Sequence, residues 1–192
     1  MQARLKSEGI WLLVLVAFVG VGFFFVVQPK QSLERRLFEE AVNMKEINKF
    51  AQAVESFERV VTYSPESKLA GEAAKQAAYL SLYETRDYNK AIYFFRNIVR
   101  HSRVEKDVLA AQEKLAEIYY EKLSDYPQAI VEFNRLLQIP LSPAQEQDVR
   151  MKIVKAYYYS ANFDQSLIEA EIFFKKFPES DKNFDIMNVK AS

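Results

Sequence analysis

Hydrophobic side chains recur along the chain at a period of 37 to 38 residues. The recurring unit is an aromatic residue followed by alanine three positions later, and the last copy is weaker: Phe50-x-x-Ala53, Tyr88-x-x-Ala91, Tyr126-x-x-Ala129 and Phe163-x-x-Ser166. Apolar residues then follow at steps of four and three, as in Phe57 and Val60, which is the spacing of one helix face. Units of this length stack to bury one another's apolar faces. The pattern therefore predicts an all-α solenoid that presents a protein-binding surface.

Each period divides into two helices joined by a short turn. Polar pairs mark the turns at Asn48-Lys49, Arg86-Asp87 and Ser124-Asp125, and prolines at 65, 140 and 178 mark helix ends. Ser142, Pro143 and Gln145 have the order expected of a capped helix start. We predict about four repeats with these ranges: 33–66, 67–104, 105–141 and 142–180.

The amino-terminal region has a different pattern. Residues 10–27 run for 18 positions without a polar side chain, close to the roughly 20 that cross a bilayer as a helix. We predict a short tail at 1–9, a transmembrane signal anchor at 10–27 and a short linker at 28–32. A cleaved secretory signal is the alternative, although no pair of small residues follows the apolar run. A lipoprotein is excluded, because the chain has no cysteine.

The orientation of this span depends on flanking charges that nearly balance. Arg4 and Lys6 precede it, while Lys30, Arg35 and Arg36 follow it. A short basic tail that stays in the cytoplasm is the commoner arrangement, so we expect a single-pass inner-membrane protein with exported repeats. The opposite topology, with the repeats in the cytosol, stays open.

The repeats resemble tetratricopeptide (TPR) repeats, a family of right-handed helical solenoids. The first repeat carries five residues of the family pattern: Leu37, Ala41, Ala53, Phe57 and Pro65. The other copies are looser. The second has Tyr79 where a small residue is expected, and the fourth has Ser166 and Ala170 at the alanine and aromatic positions. The resemblance covers residues 33–180 and implies the fold, whereas it says little about function.

The repeats are about four residues longer than the family's usual 34, and the spacing within the first repeat places the additions before each first helix. Long repeats behind an amino-terminal anchor look like those of bacterial envelope TPR proteins that serve outer-membrane assembly, cell division or the Sec translocon. This resemblance implies a scaffold or adaptor that holds a partner close to the membrane.

In the family, the first helix of each repeat lines a concave binding face. The resemblance implies that the partner, a peptide or a helix, contacts these side chains: Gln76, Leu80, Tyr83, Lys114, Ile118, Glu121, Lys122, Met151, Lys155, Tyr158 and Tyr159. Tyrosine and leucine suit the anchoring of such a segment, and lysine suits pairing with acidic groups.

Charge and motif content argue against several other functions. The 26 basic and 26 acidic residues balance, so we do not expect nucleic acid as a partner. One histidine, His101, no cysteine and no glycine-rich loop leave no basis for a catalytic triad, a metal site or a phosphate-binding cofactor site. We therefore predict no enzymatic activity and no cofactor.

The last twelve residues, 181–192, raise a separate question. They resemble the first helix of a fifth repeat without its second helix. They could cap the array through Phe184 and Met187, or they could be the start of a truncated fifth repeat, since Ile186 and Val189 also need apolar neighbours.

Overall fold

The computed structural model of the protein describes residues 28–183, which form eight α-helices and contain no β-strand. In repeats 1, 3 and 4 the two helices of the repeat pack against each other. The helices are α1 Gln28–Glu46, α2 Phe50–Tyr63, α3 Lys68–Tyr79, α4 Tyr88–His101, α5 Glu105–Glu117, α6 Tyr126–Leu136, α7 Pro143–Tyr159 and α8 Phe163–Lys176. The predicted all-α class is confirmed for this part of the chain.

The chain divides into two compact units, Met1–Ala73 and Ala74–Ser192, with the boundary inside α3. The described part of unit 1 contains α1, α2 and the start of α3. In unit 2, α4 packs against α5, α5 against α6, α6 against α7 and α7 against α8. Repeat stacking is therefore continuous from α4 to α8.

The start of the first helix differs from the prediction. The described part of helix α1 runs from Gln28, so residues 28–32, which were expected to form a short linker, are helical. The predicted membrane span at 10–27 lies outside the described residues. Between residues 28 and 183, no helix is both long enough and apolar enough to cross a membrane.

In each repeat, the turn between the two helices contains one residue with a left-handed backbone conformation, at the same position of the turn. Asn48, Arg86, Ser124 and Ala161 have φ values of 59°, 54°, 51° and 59°, although none is glycine. In the last three turns the next residue caps the second helix, because its side chain accepts a backbone hydrogen bond: Asp87 from Lys90, Asp125 from Gln128 and Asn162 from Gln165. The capping box predicted at Ser142 and Gln145 is confirmed.

Two of the first helices end in a π-helical turn, at Leu80–Glu84 after α3 and at Ile118–Lys122 after α5. Such a turn accommodates one inserted residue. Consequently the small buried residue of the first helix is Ala78 in repeat 2 and Ala116 in repeat 3, one position before the residue that the family spacing picks out. At least one of the extra residues thus lies at the end of the first helix, contrary to the expectation that all precede it.

The interior of the repeats is formed by the residues that define the period. The alanines at 53, 91 and 129 have no exposed surface, and Phe57, Phe95 and Phe133 are at most 1% exposed. Small residues let paired helices approach closely, and the aromatic ring one turn later fills the space between them. These aromatic residues are core residues, as expected.

Candidate partner-binding surface

The side chains expected to bind a partner lie on the first helices of the repeats in unit 2. We call the solvent-accessible part of α3, α5 and α7 with the two π turns the helix-A surface. Of the predicted residues, Tyr83 and Tyr159 are the most exposed aromatic ones, at 56% and 52%. Glu121 and Lys122 are exposed, and five others are half-buried: Gln76, Lys114, Met151, Lys155 and Tyr158.

Two of the predicted residues do not reach this surface. Leu80 and Ile118 are 7% and 1% exposed, so their side chains belong to the interior. The residue inserted in each π turn shifts the register of the helix before it. Tyr79, which is 39% exposed, and the half-buried Glu117 are accessible instead. Ala78 and Ala116 were the sequence signal for this shift, since an alanine stands one place early in both repeats.

The first part of the surface is a pair of stacked tyrosines. The rings of Tyr79 and Tyr83 lie 6.1 Å apart and are nearly parallel, at 6°. The ring of Tyr79 also packs edge-on against the ring of Phe95, with 5.4 Å between the ring centres, and this contact holds Tyr79 in position. The pair thus offers a preorganised aromatic platform, which costs little conformational entropy when a partner binds.

Lys114 lies beside the tyrosine pair. Its Nζ is 2.6 Å from Oε2 of Glu117 on the next turn of α5. Partial burial acts to lower the pKa of Lys114, but the hydrogen bond and the charge of Glu117 outweigh it, with smaller contributions from Tyr83 and Tyr79, and the pKa is raised. Lys114 is therefore a fixed positive charge next to an aromatic platform.

A second aromatic group links repeats 3 and 4. The Tyr120 ring lies 5.7 Å from Tyr126 and 6.4 Å from Tyr159, and Tyr126 and Tyr159 are 5.2 Å apart. Tyr158 contacts the ring of Phe163 at 5.4 Å. Burial raises the pKa of Tyr120 to about 12, with further contributions from Tyr159, Tyr126 and Glu121. The hydroxyl of Tyr120 is a neutral hydrogen-bonding group at physiological pH.

Unit 2 also contains a shallow cavity of about 160 Å³. Its floor is apolar and its rim is mostly acidic, and α5, α6 and α7 contribute its lining: Glu113, Glu117, Phe133, Leu136, Gln145, Asp148, Val149 and Lys152. Lys152 lies 5.9 Å above the centre of the Phe133 ring and 4.0 Å from Glu117. This volume matches a single side chain rather than a small-molecule ligand, for which pockets are typically about 300 Å³ or larger.

A buried polar network fixes the helices that carry the surface. Glu132 of α6 is fully buried and accepts a 2.9 Å hydrogen bond from Nε2 of Gln112 on α5 and one of 2.9 Å from Arg135. Arg96 of α4 lies 3.5 Å from the same carboxylate and donates to the Tyr119 hydroxyl at 3.0 Å. Because α4, α5 and α6 share this network, their relative positions are defined by more than apolar packing.

Between residues 28 and 183, no three histidine, aspartate or glutamate side chains are grouped so that they could hold a metal ion. His101 is half-buried at the end of α4. The helix-A surface is a mixture of aromatic, basic and acidic side chains.

Comparisons with known proteins identify the class of fold. A family model described as YfiO, an outer membrane lipoprotein, matches residues 110–188, which is less than half of the chain. No curated protein matches the sequence. Several solved structures are similar. One is the MamA protein, with a TM-score of 0.52, 17% identity, and coverage of 81% of this chain and 78% of that one.

Two further structures come from a putative kinesin light chain of Podosopora anserina with nearly identical TPR-like repeats. The first is a point variant of that protein, with a TM-score of 0.50, 16% identity and coverage of 82% of each chain. The second has a TM-score of 0.51, 16% identity, and coverage of 82% of this chain and 83% of that one. At such low identity the likeness concerns the fold alone. The protein is therefore a TPR-like helical repeat protein, the class that the sequence pattern predicts.

Proposed function

We propose that the protein is a membrane-anchored TPR scaffold that binds a protein partner on its helix-A surface, close to the membrane of a bacterial envelope. The observation that carries the proposal is the row of preorganised, partly exposed tyrosines on that surface. Rigid aromatic side chains beside fixed charges are the groups that dominate protein–protein binding energy. TPR-like folds serve protein interaction rather than chemistry, so we propose no enzymatic activity.

The helix-A surface suits a partner segment that carries both apolar and acidic side chains. Tyr79 and Tyr83 pack against apolar or proline side chains of an extended peptide or a helix, while Lys114, Lys122 and Lys155 attract its acidic groups. The acidic rim and the apolar floor of the cavity beside Lys152 suit one side chain with an aliphatic stem. The helix-A surface carries both positive and negative charges. It therefore selects a partner by the arrangement of the partner's charges and not by the partner's net charge.

The location near a membrane rests on two observations. Residues 10–27 have the length and composition of a membrane span. The match of residues 110–188 to an outer membrane lipoprotein family supports a place in the envelope. With no cysteine to carry a lipid, the anchor of this chain is the apolar segment itself. We propose that the repeats are exported and work in envelope assembly, protein export or a larger envelope machine.

A cysteine-labelling experiment tests this topology. The natural chain has no cysteine, so Gln31→Cys, at an exposed position of α1, gives a single thiol close to the proposed span. In intact cells, a membrane-impermeant maleimide labels this thiol if the repeats are exported. If labelling requires cell lysis, the repeats face the cytosol and the protein is a cytosol-facing receptor or adaptor instead.

Site-specific photocrosslinking tests the surface. A photoreactive phenylalanine analogue replaces Tyr83 on the helix-A surface, and the matched control replaces Tyr93, which lies on the second helix of the same repeat and is 44% exposed. We expect a discrete crosslinked product in membranes from Tyr83 and none from Tyr93. The same product from both positions, or a product from Tyr93 alone, would show that the partner binds elsewhere.

A further inference from the structure

The accessible surface of the second helices α4 and α6 is basic. Helix α4 carries the exposed arginines Arg96 and Arg100 and has no acidic residue along its length. In α6, Arg135 is exposed, whereas the one acidic residue, Glu132, has no exposed surface. The other two second helices, α2 and α8, each have at least one exposed carboxylate. In a chain with 26 basic and 26 acidic residues, α4 and α6 therefore form a local excess of positive charge.

Two of these arginines, one from each helix, lie against the same buried carboxylate. Nη2 of Arg96 is 3.5 Å from Oε1 of Glu132, and Nη1 of Arg135 is 2.9 Å from the same oxygen atom. The two guanidinium groups are therefore neighbours, although they belong to different helices. Two like charges this close repel each other, and the single charge of Glu132 offsets only one of them. The group of three side chains keeps a net positive charge.

Both guanidinium groups are held in position and yet remain accessible. Arg96 donates a 3.0 Å hydrogen bond from Nη2 to the Tyr119 hydroxyl, and its guanidinium carbon lies 6.0 Å from the centre of the Tyr119 ring. Nη1 of Arg135 donates to both carboxylate oxygens of Glu132, at 2.9 Å and 3.1 Å. The two side chains still have 48% and 60% of their surface exposed. A guanidinium group has five N–H donors, and these contacts use one nitrogen of each group, so donors remain for a ligand.

We propose that Arg96 and Arg135 form a binding site for a phosphate group, carried either by free phosphate or by the headgroup of an anionic phospholipid. Phosphate oxygens accept charge-assisted hydrogen bonds, and the planar fork of a guanidinium group matches them in geometry. The negative charge of the ligand offsets the positive charge that Glu132 leaves uncompensated. The site lies on second helices, whereas first helices form the helix-A surface, so this inference does not depend on a protein partner there.

Isothermal titration calorimetry tests the proposal. The full 192-residue chain, purified in a nonionic detergent and a phosphate-free buffer, is titrated with inorganic phosphate and, separately, with glycerophosphoglycerol, the soluble headgroup of phosphatidylglycerol. We expect saturable binding of at least one probe. Tighter binding of the headgroup assigns the site to a lipid, and tighter binding of inorganic phosphate assigns it to the free ion. Arg96→Gln and Arg135→Gln should each weaken binding by about tenfold, because one of the two guanidinium contacts is lost.

Two further variants separate a binding role from a structural one. Glu132→Gln removes the buried negative charge and keeps an oxygen that accepts hydrogen bonds from the arginines. It should tighten binding by about fivefold, because no carboxylate of the protein then competes with the ligand for the two guanidinium groups. The matched control is Arg59→Gln, since Arg59 holds the repeat position of Arg135 in repeat 1, is 53% exposed and pairs with Glu40. This variant should bind within about twofold of the unmodified chain.

Three results would overturn the proposal. One is the absence of saturable binding of both probes, and another is an equal loss of affinity in the Arg59 and Arg135 variants. The third is weaker binding by the Glu132→Gln chain when circular dichroism shows that its helices are intact, which would leave the three side chains a structural role alone. Tyr83→Ala should leave phosphate binding unchanged, because Tyr83 belongs to the helix-A surface.

Discussion

The backbone N–H of Thr85 donates a 3.0 Å hydrogen bond to the carbonyl oxygen of Leu80, five residues earlier. Leu123 and Ile118 make the same contact at 3.0 Å in the next repeat. A bond over five residues instead of four widens the helix by one residue. Leu80 and Ile118 consequently point into the interior, while Tyr79 and Tyr83 stay at the surface.

Because Leu80 is buried and Tyr83 is exposed, their replacement should change the stability of the protein by different amounts. Leu80→Ala should lower the free energy of unfolding by about 2 to 4 kcal/mol, because it leaves a cavity in the core. Tyr83→Ala should lower it by less than about 1 kcal/mol, since that ring is largely exposed and loses mainly the stack on Tyr79. Chemical denaturation followed by circular dichroism measures both. Equal losses of stability would contradict the inward position of Leu80.

The π turns are the part of the fold that the sequence spacing does not predict. Spacing was sufficient for the second helices, which begin at the predicted Phe50, Tyr88, Tyr126 and Phe163. It failed for the end of the first helices, because the inserted residue shifts the register there, and its one signal in the sequence is the alanine one place early, at Ala78 and Ala116. The error carried over to the predicted partner-binding residues, which include the buried Leu80 and Ile118 and omit the accessible Tyr79 and Glu117.

The burial of Glu132 depends on side-chain packing that the spacing of residues in the sequence does not specify. Glu132 stands where the first repeat has Ser56 and the second has Phe94, and all three positions are buried. A charged residue in an aromatic position gives no sequence signal of burial. Only the positions of Gln112 and Arg135 around it explain how the carboxylate is accommodated.

Two buried serines should respond in opposite directions to the loss of their hydroxyl groups. Among the described residues, the Oγ of Ser81 is buried in the first π turn and has no hydrogen-bond partner. Ser81→Ala should therefore raise the free energy of unfolding, by up to about 1 kcal/mol, because it removes a desolvated polar group. Thermal and chemical unfolding of the purified variant measure the change.

The matched variant is Ser166→Ala. Ser166 is also buried, but its Oγ donates a 2.9 Å hydrogen bond to the carbonyl oxygen of Val154. Its replacement should lower the free energy of unfolding by about 1 kcal/mol, since the hydrogen bond between the two helices is lost. Destabilisation of similar size in both variants would mean that the Ser81 hydroxyl has a partner in solution.

The aromatic group around Tyr120 should be sensitive to alkali. Burial raises the pKa of Tyr120 from 10.0 to about 12, so the folded state favours the neutral phenol. The contribution of this group to stability is present below pH 10 and is lost as the pH rises towards 12. A titration of tyrosinate absorbance should show a late-titrating component that Tyr120→Phe reduces, although burial and Glu169 raise the pKa of Tyr157 as well. Tyr93→Phe, at an exposed position, should leave it in place.

The ion pairs at the start of α7 should make the end of the repeat array sensitive to acid. The hydrogen bond from Lys176 holds the pKa of Glu146 below its ordinary value of 4.5, and Arg150 adds to this effect against partial burial. Because the charged form is favoured in the folded state, the stabilisation is complete above pH 4.5 and is lost as the pH falls through the lowered pKa. Glu146→Gln should therefore reduce the melting temperature at neutral pH, and the difference from the unmodified chain should shrink in acid. Glu171→Gln, which removes an exposed carboxylate of α8, is the control and should show little effect at neutral pH. A constant difference between the Glu146 variant and the unmodified chain at every pH would assign the effect to packing and not to charge.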